Sequence, residues 1–338
     1  MERCAQVLNR ALHALFTECP KVVLIGEDLL DPYGGAFKVS AGLSTRWPDR
    51  VLTTPVSEAA IVGMAGGMAL RGWQPVVEIM FGDFTTLACD QIVNHLAKFR
   101  AIYNGQVSCP VVIRTPMGGR RGYGPTHSQS LEKLFLGIPG LTVVAPSRHH
   151  DLGGMLRRAV LESEDPVLFV ENKLMYGQPN EQPQDGRLAE FATRTTDERY
   201  PTLTLSLNSF AEPDLTLTTY GGMLPVAMEA SLELAMEHEI FAEIVAPSLL
   251  SPLPAEALLG ALGRSRRLIV AEEGTLTAGW GAEVVARLMD RANFHFASAR
   301  VAAKDGIIPT SRPLEEGVLP QPRDIVAAAL KLVSSGKR

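Results

Sequence analysis

Two α/β domains, each a doubly wound and largely parallel sheet, are predicted by three features of the sequence. Short apolar runs alternate with helical stretches from residue 21 onward; the alternation lapses past the midpoint into a polar stretch and then resumes; and 338 residues exceed what one core normally holds. Apolar runs of three to five residues separated by helices signify strands covered on both faces, as parallel strands are.

The elements follow in order. Val7, Leu8, Ala11, Leu12 and Leu15 fall on one face of an N-terminal helix. Strands are expected at Val22-Val23-Leu24-Ile25, Val51-Leu52, Pro75-Val76-Val77-Glu78-Ile79, Val111-Val112-Ile113, Thr142-Val143-Val144 and Val167-Leu168-Phe169-Val170, with helices over 84–101 and 150–161 among them. This first domain is assigned to residues 1–188. Residues 189–213, rich in Thr, Pro and acidic side chains without a sustained period, are expected to be a linker. The second domain, 214–338, restarts with Leu215-Thr216-Leu217-Thr218-Thr219 and a helix ending near His238. Further strands are expected at 240–245, 267–271 and 295–301, and helices at 254–262, 279–291 and 322–333.

Composition narrows the function classes. Hydrophobic residues make up 46% and charged ones 20%, and no apolar run reaches the ~18 residues of a membrane span. A formal charge of −5 gives no basic footprint for nucleic acid. Cys4, Cys19, Cys89 and Cys109 form no Cys-x-x-Cys pair, which argues against a zinc site and a disulfide framework. Reduced thiols and an N-terminus without a secretion signal fit a cytoplasmic protein.

The sharpest local feature is Thr54-Pro55-Val56-Ser57-Glu58, an acid opening the helix Ala-Ala-Ile-Val-Gly-Met-Ala-Gly-Gly-Met-Ala-Leu that carries no charge from 59 to 70. Such a helix is expected to be buried nearly all round, with Glu58 pointing into a dry space where a carboxylate needs a partner. The bland alternative makes Ser57 a helix cap and Glu58 a neighbour of the helix's positive end. A second feature is the loop from Arg114 to Ser130, with Gly118, Gly119, Gly122 and Gly124 within seven residues and His127 at its end, bracketed by hydroxyl and amide side chains. The glycines demand special backbone geometry, and a loop at the carboxyl end of a parallel strand is where ligands sit. His127 is either structural or a site residue. Glu27 and Asp28 place two acids at the mouth of the first strand, as site residues or as a cap. His149-His150 are expected to begin an exposed helix. Neither a P-loop nor a Gly-x-Ser-x-Gly elbow nor a His-Glu-x-x-His helix is present.

Leu24-Ile25-Gly26-Glu27-Asp28, Gly35-Ala36-Phe37-Lys38-Val39-Ser40, Thr54-Pro55-Val56-Ser57-Glu58, His127-Ser128-Gln129-Ser130, Pro139-Gly140-Leu141-Thr142-Val143-Val144, Leu174-Met175-Tyr176-Gly177 and Gly281-Ala282-Glu283 occur in that order. In this the chain resembles, essentially end to end, the β subunit of the thiamine diphosphate-dependent decarboxylase component of 2-oxoacid dehydrogenase complexes. That family is transketolase-like, of pyruvate and branched-chain type. The resemblance implies a thiamine-pyrimidine-binding domain followed by a transketolase C-terminal-like domain. It implies that Glu58 hydrogen-bonds the aminopyrimidine ring nitrogen of the cofactor and stabilises the imino tautomer that deprotonates the thiazolium. His127 then serves the lipoyl acceptor side, Glu27 relays protons near the cofactor, and Phe84 lies beside the pyrimidine. Main-chain carbonyls of Val111, Ala159, Val160, Glu162 and Asp165 match a K⁺ site, although the 161–165 turn is one residue longer here.

Gly82-Asp83-Phe84 is not a Gly-Asp-Gly motif, and no downstream Asn stands at the required distance. By the resemblance, a separate α subunit carries that motif and holds Mg²⁺ and the diphosphate. The chain is therefore expected to work only in an α₂β₂ heterotetramer that serves a lipoyl domain, acyltransferase core or carrier protein. The apolar Gly-rich helix is a candidate for packing at a subunit interface or within its own domain. Leu87 stands where pyruvate enzymes have Gln, and Ile307 and Thr310 replace a Pro and an aromatic. Arg120 and Arg121 suit a phosphorylated donor. Two other readings follow: a split transketolase-like enzyme moving a two-carbon ketol unit from a sugar phosphate, and a non-catalytic scaffold subunit.

Overall fold

The computed structural model describes residues 1–207 and 212–335 and divides into two compact units. The first comprises Met1–Met117 and Leu134–Asn180, the second Gly118–Lys133 and Glu181–Arg338. The Gly-rich loop that follows the fourth strand thus folds with the second unit, which the order of elements in the sequence did not indicate.

In the first unit, strands β1 (Val22–Gly26), β2 (Val51–Thr53), β3 (Gln74–Glu78), β4 (Val112–Met117), β5 (Thr142–Val144) and β6 (Val167–Asn172) lie in the order β5-β6-β4-β3-β1-β2. All their pairings are parallel. β1 and β4 are buried along their whole length, as strands covered on both faces must be. Helix α1 (Cys4–Glu18) buries Val7, Leu8, Ala11, Leu12, Leu15 and Phe16 on one face. Two short segments follow, α2 (Leu43–Arg46) and, after it, the apolar helix α3 (Glu58–Leu70). α3 is not buried all round: Ile61, Val62, Ala65, Gly66 and Ala69 face inward, while Ala60, Gly63, Met64 and Gly67 are exposed. Gly66 permits the close inward approach, since a Cβ there would stand 2.9 Å from Leu96 Cδ1.

The helix expected over 84–101 is broken into a 3₁₀ segment at Gly82–Ala88, a π-helical segment at Gln91–Leu96 and the short α4 (Ala97–Ile102). The hydroxyls of Thr85 and Thr86 donate to the carbonyls of Gly82 and Asp83 at 2.6 and 2.8 Å, which favours the tighter turn over a regular helix. His149 and His150 are buried, contrary to the exposed helix start expected for them. His150 Nδ1 lies 2.9 Å from Ser147 Oγ, and the Asn180 amide donates to the carbonyls of Arg148 and His150. α5 (Leu152–Glu162) starts after them, with Asp151 accepting from the Gly154 N–H at 2.9 Å.

The second unit contains β7 (Arg187–Leu188), β8 (Phe191–Thr195), β9 (Thr202–Ser206), β10 (Leu215–Thr218), β11 (Ala242–Pro247), the short β12 (Leu249–Ser251), β13 (Arg267–Thr275) and β14 (Ala297–Ala303). Its sheet runs β14-β13-β10-β11-β9-β8-β7, parallel from β14 to β11 and antiparallel beyond. The expected linker 189–213 is therefore corrected: β8 and β9 inside it extend this sheet, while residues 208–211 lie outside the described residues. Thr202-Leu203-Thr204-Leu205-Ser206 alternates at period two, and Leu203 and Leu205 enter the core with Leu217, Ile244 and Ile269. The helices are α6 (Leu224–His238), α7 (Ala255–Ser265), α8 (Trp280–Arg291), α9 (Arg312–Val318) and α10 (Pro322–Ser335). No helix among the described residues is long and apolar enough to cross a membrane.

Candidate active site

The carboxyl ends of β1 and β2 place the two acids. Gly26 pairs with Thr53, and the Thr54 N–H donates to the Gly26 carbonyl at 3.0 Å, so residues 54–57 turn over the strand ends and Glu58 opens α3. Ser57 makes no side-chain cap bond and is exposed, whereas Glu58 is 4% exposed; the capping alternative for this pair is not what the chain adopts. Glu27 is buried beside it and accepts the Ser57 backbone N–H. Burial, and then the neighbouring charge of Glu58, push the Glu27 carboxyl above its ordinary range. Glu27 Oε1 is buried without a hydrogen-bond partner among the described residues, an acceptor with unused capacity.

The 3₁₀ segment carrying Phe84 lies against α3. Phe84 is half-buried and meets Phe81 edge-on at 6.0 Å; Phe81 meets Phe37 at 5.7 Å, and Phe37 meets Tyr176 at 4.9 Å. Glu27 and Glu58 are thus brought together in the first unit, and the Phe84 segment packs on the helix that Glu58 opens. Behind the aromatic row is an ionic network that the sequence reading missed. Arg114 donates to both oxygens of Glu171 at 2.9 and 2.8 Å and to Glu78 at 3.0 Å; Ser40 donates to Glu78 at 2.7 Å, and the Tyr176 hydroxyl donates to Glu171. Burial pushes the Glu78 carboxyl up while Arg114 opposes it. The signal was present: Glu78, Arg114 and Glu171 each follow directly on a run of apolar residues in their strands, with Glu78 and Arg114 in register.

The loop of residues 118–129 has positive φ at Gly118 (98°), Arg120 (69°), Gly122 (68°) and Gly124 (77°), the special geometry that its glycines implied. His127 is half-buried on this loop, in the second unit, with Nδ1 3.0 Å from Thr126 Oγ1. Arg120 turns its two terminal nitrogens toward its own unit. Its side chain donates to the Pro320 carbonyl and reaches Gln321 at 3.4 Å, with Nε 3.8 Å from Glu273. Arg121 lies over the Tyr123 ring at 5.5 Å. Leu87 and Ile307 are exposed.

Among the residues matched to a K⁺ site, Ala159, Val160 and Glu162 occupy the last turn of α5, where helix carbonyls lack intrahelical partners. The Val111 carbonyl accepts the Val167 N–H at 2.9 Å, and Asp165 accepts from Arg100 at 3.1 Å.

Comparison with known proteins agrees with this architecture. Residues 3–179 match the family described as transketolase, pyrimidine binding domain, and residues 209–325 the one described as transketolase, C-terminal domain. The chain is 35% identical to the β subunit of acetoin:2,6-dichlorophenolindophenol oxidoreductase of Cupriavidus necator, covering 98% of this chain and 97% of that one. It is 36% identical to the β subunit of the pyruvate dehydrogenase E1 component of Leifsonia xyli, covering 93% and 90%. A solved split-gene transketolase, an inactive β4 tetramer, superposes with a TM-score of 0.74 at 22% identity over 98% of both chains, a likeness of fold. The chain belongs to the transketolase-like family, among the β subunits of thiamine diphosphate-dependent 2-oxoacid dehydrogenase E1 components.

Proposed function

We propose that this chain, with an α subunit in an α₂β₂ assembly, decarboxylates a 2-oxoacid and passes the acyl unit to a lipoyl arm. The observation that carries the reading is the buried pair Glu27 and Glu58 at the carboxyl ends of parallel strands, with one Glu27 oxygen left without a partner among the described residues. Two neighbouring buried acceptors, with an aromatic segment packed on the same helix, suit an aminopyrimidine, which offers N–H groups and a flat ring. Thiamine diphosphate, when bound, supplies the electron sink for breaking the bond next to the carbonyl. In this reading Glu58 holds the proton at the pyrimidine ring nitrogen, Glu27 exchanges protons beside it, and Phe84 flanks the ring. His127 donates a proton on the acceptor side. Mg²⁺ is held mainly by the α subunit, and the carbonyls of Val111, Ala159, Val160, Glu162 and Asp165 remain the proposed K⁺ site. In this reading the first unit carries the pyrimidine side and the second, with β7, β8 and β9 in its sheet, is the C-terminal domain.

The ketol-transfer reading loses part of its support, because the two terminal nitrogens of Arg120 already bond Gln321 and Pro320. The scaffold reading gives no reason for a buried, partly unpartnered carboxylate pair. The deciding experiment is to co-express the chain with candidate α subunits, add thiamine diphosphate and Mg²⁺, and offer pyruvate, 3-methyl-2-oxobutanoate, acetoin and a ketose phosphate in turn. Carbon dioxide release from a 2-oxoacid is expected. Consumption of acetoin or a ketose without carbon dioxide would overturn the decarboxylase assignment and keep the cofactor site.

A further inference from the structure

The loop that carries His127 is bound at both ends by side chains of its own unit. Glu273 on β13 accepts the Gly119 N–H at 2.6 Å, and Glu315 on α9 accepts the Arg120 N–H at 2.8 Å and the Gly122 N–H at 3.3 Å. Both carboxylates are buried, at 7% and 1% exposure. At the far end the Tyr220 hydroxyl donates to Glu132, and Lys133 donates to the Thr277 carbonyl at 2.7 Å. The loop closes on itself where the Gly118 N–H donates to the Gln129 carbonyl at 3.3 Å. Its fit to the C-terminal unit is tight: a Cβ on Gly119 would stand 2.6 Å from Leu319 Cδ1, and one on Gly124 would stand 2.6 Å from Thr310 Oγ1.

Burying two carboxylates is costly unless each is hydrogen-bonded, and these accept main-chain amides that the left-handed turns at Arg120 and Gly122 leave without carbonyl partners in the loop. Charge-assisted bonds of this kind fix backbone direction more firmly than neutral ones. We infer that Glu315 and Glu273 are positioning residues, whose carboxylates clamp the amides of residues 119–122 and thereby set where His127 stands for the acceptor step. The inference rests on the acceptor-side reading of His127.

The test uses Glu315→Gln and Glu273→Gln in the full chain. Hydrogen–deuterium exchange of the peptide spanning residues 118–130 is read first, because it needs no turnover. Faster exchange confined to that peptide is expected; unchanged exchange overturns the clamp. In the αβ assembly, turnover with free lipoamide is expected to fall by about 10- to 100-fold, the scale of a misplaced catalytic group, and turnover with 2,6-dichlorophenolindophenol by much less. Equal losses with both acceptors overturn the positioning role. Glu315→Gln is expected to add nothing to the lipoamide defect of His127→Ala. Should His127→Ala itself affect both acceptors equally, the role of His127 falls, and the exchange result still decides whether the carboxylates hold the loop.

Discussion

Glu58 and Glu27 are two buried acids side by side, and the Glu27 carboxyl is pushed up, by burial first and then by its neighbour's charge. Glu58, which opens α3, is the residue proposed to meet a cofactor N–H. Glu58→Gln in the αβ assembly is expected to lower turnover by about 100-fold or more while leaving assembly unchanged by size-exclusion chromatography. Turnover near the parent level would remove Glu58 from the mechanism. A second residue carries a stability consequence. Glu272 is buried on β13 and accepts the N–H groups of Trp280 and Gly281 at 2.8 Å, yet burial outweighs those bonds and raises its carboxyl from 4.5 to about 7. Between those values the folded chain holds a proton that the unfolded chain has released, so stability falls as pH rises through the window and levels off above it. The contribution is about 3 kcal/mol, at about 1.4 kcal/mol per pH unit. Thermal melts across that window are expected to fall less steeply for Glu272→Gln than for the parent; parallel curves would rule this residue out as the source. Glu58 was legible from its setting in the sequence, whereas Glu273 and Glu315 were not, because their partners in the loop lie far away in the chain.

Elements differ in how much of them the sequence discloses. The strands β1 to β6 of the first unit stood out because burial on both faces makes most of them short apolar runs. β8 and β9 were hidden in a polar stretch, since a strand with one solvated face keeps only every second residue apolar and five residues are a short sample. α3 misled in the opposite direction. The absence of charge predicted burial but not by what, and this chain covers only one face of it. The network that joins β3, β4 and β6 gives an element-scale prediction. Arg114 faces two carboxylates, Glu171 and Glu78, in a buried site. Arg114→Met leaves both uncompensated and is expected to cost about 3–5 kcal/mol. Glu171→Gln leaves Arg114 paired with Glu78 and is expected to cost less. Urea denaturation separates these outcomes, and equal midpoints for Arg114→Met and the parent would mean that the network contributes nothing net.

At the scale of the whole molecule the question is which half of a divided cofactor site this chain supplies. It has two buried carboxylates proposed to meet a pyrimidine, but Gly82-Asp83-Phe84 is the nearest approach to a diphosphate motif, and it sits in a 3₁₀ segment whose Thr85 and Thr86 bond back to Gly82 and Asp83. A ligand that binds the folded state stabilises it by RT ln(1 + [L]/Kd), which reaches about 2.7 kcal/mol at a concentration of about 100 Kd. If the diphosphate and Mg²⁺ are held by an α subunit, most of that binding energy is absent from the isolated chain. Thiamine diphosphate with Mg²⁺ is therefore expected to leave the melting temperature of this chain alone almost unchanged, and to raise it by several degrees once the α subunit is added. The exposed uncharged face of α3, formed by Ala60, Gly63, Met64 and Gly67, gives the α-bound state a separate signature. Met64→Glu puts a charge on that face, where the isolated fold has no use for apolar character. It is expected to leave the unfolding free energy of the isolated chain within about 0.5 kcal/mol of the parent, as surface changes usually do, and to weaken assembly measured by sedimentation. A full thermal shift and turnover from the isolated chain with cofactor and Mg²⁺ would show that the site is not divided, because nothing else would then be needed to complete it.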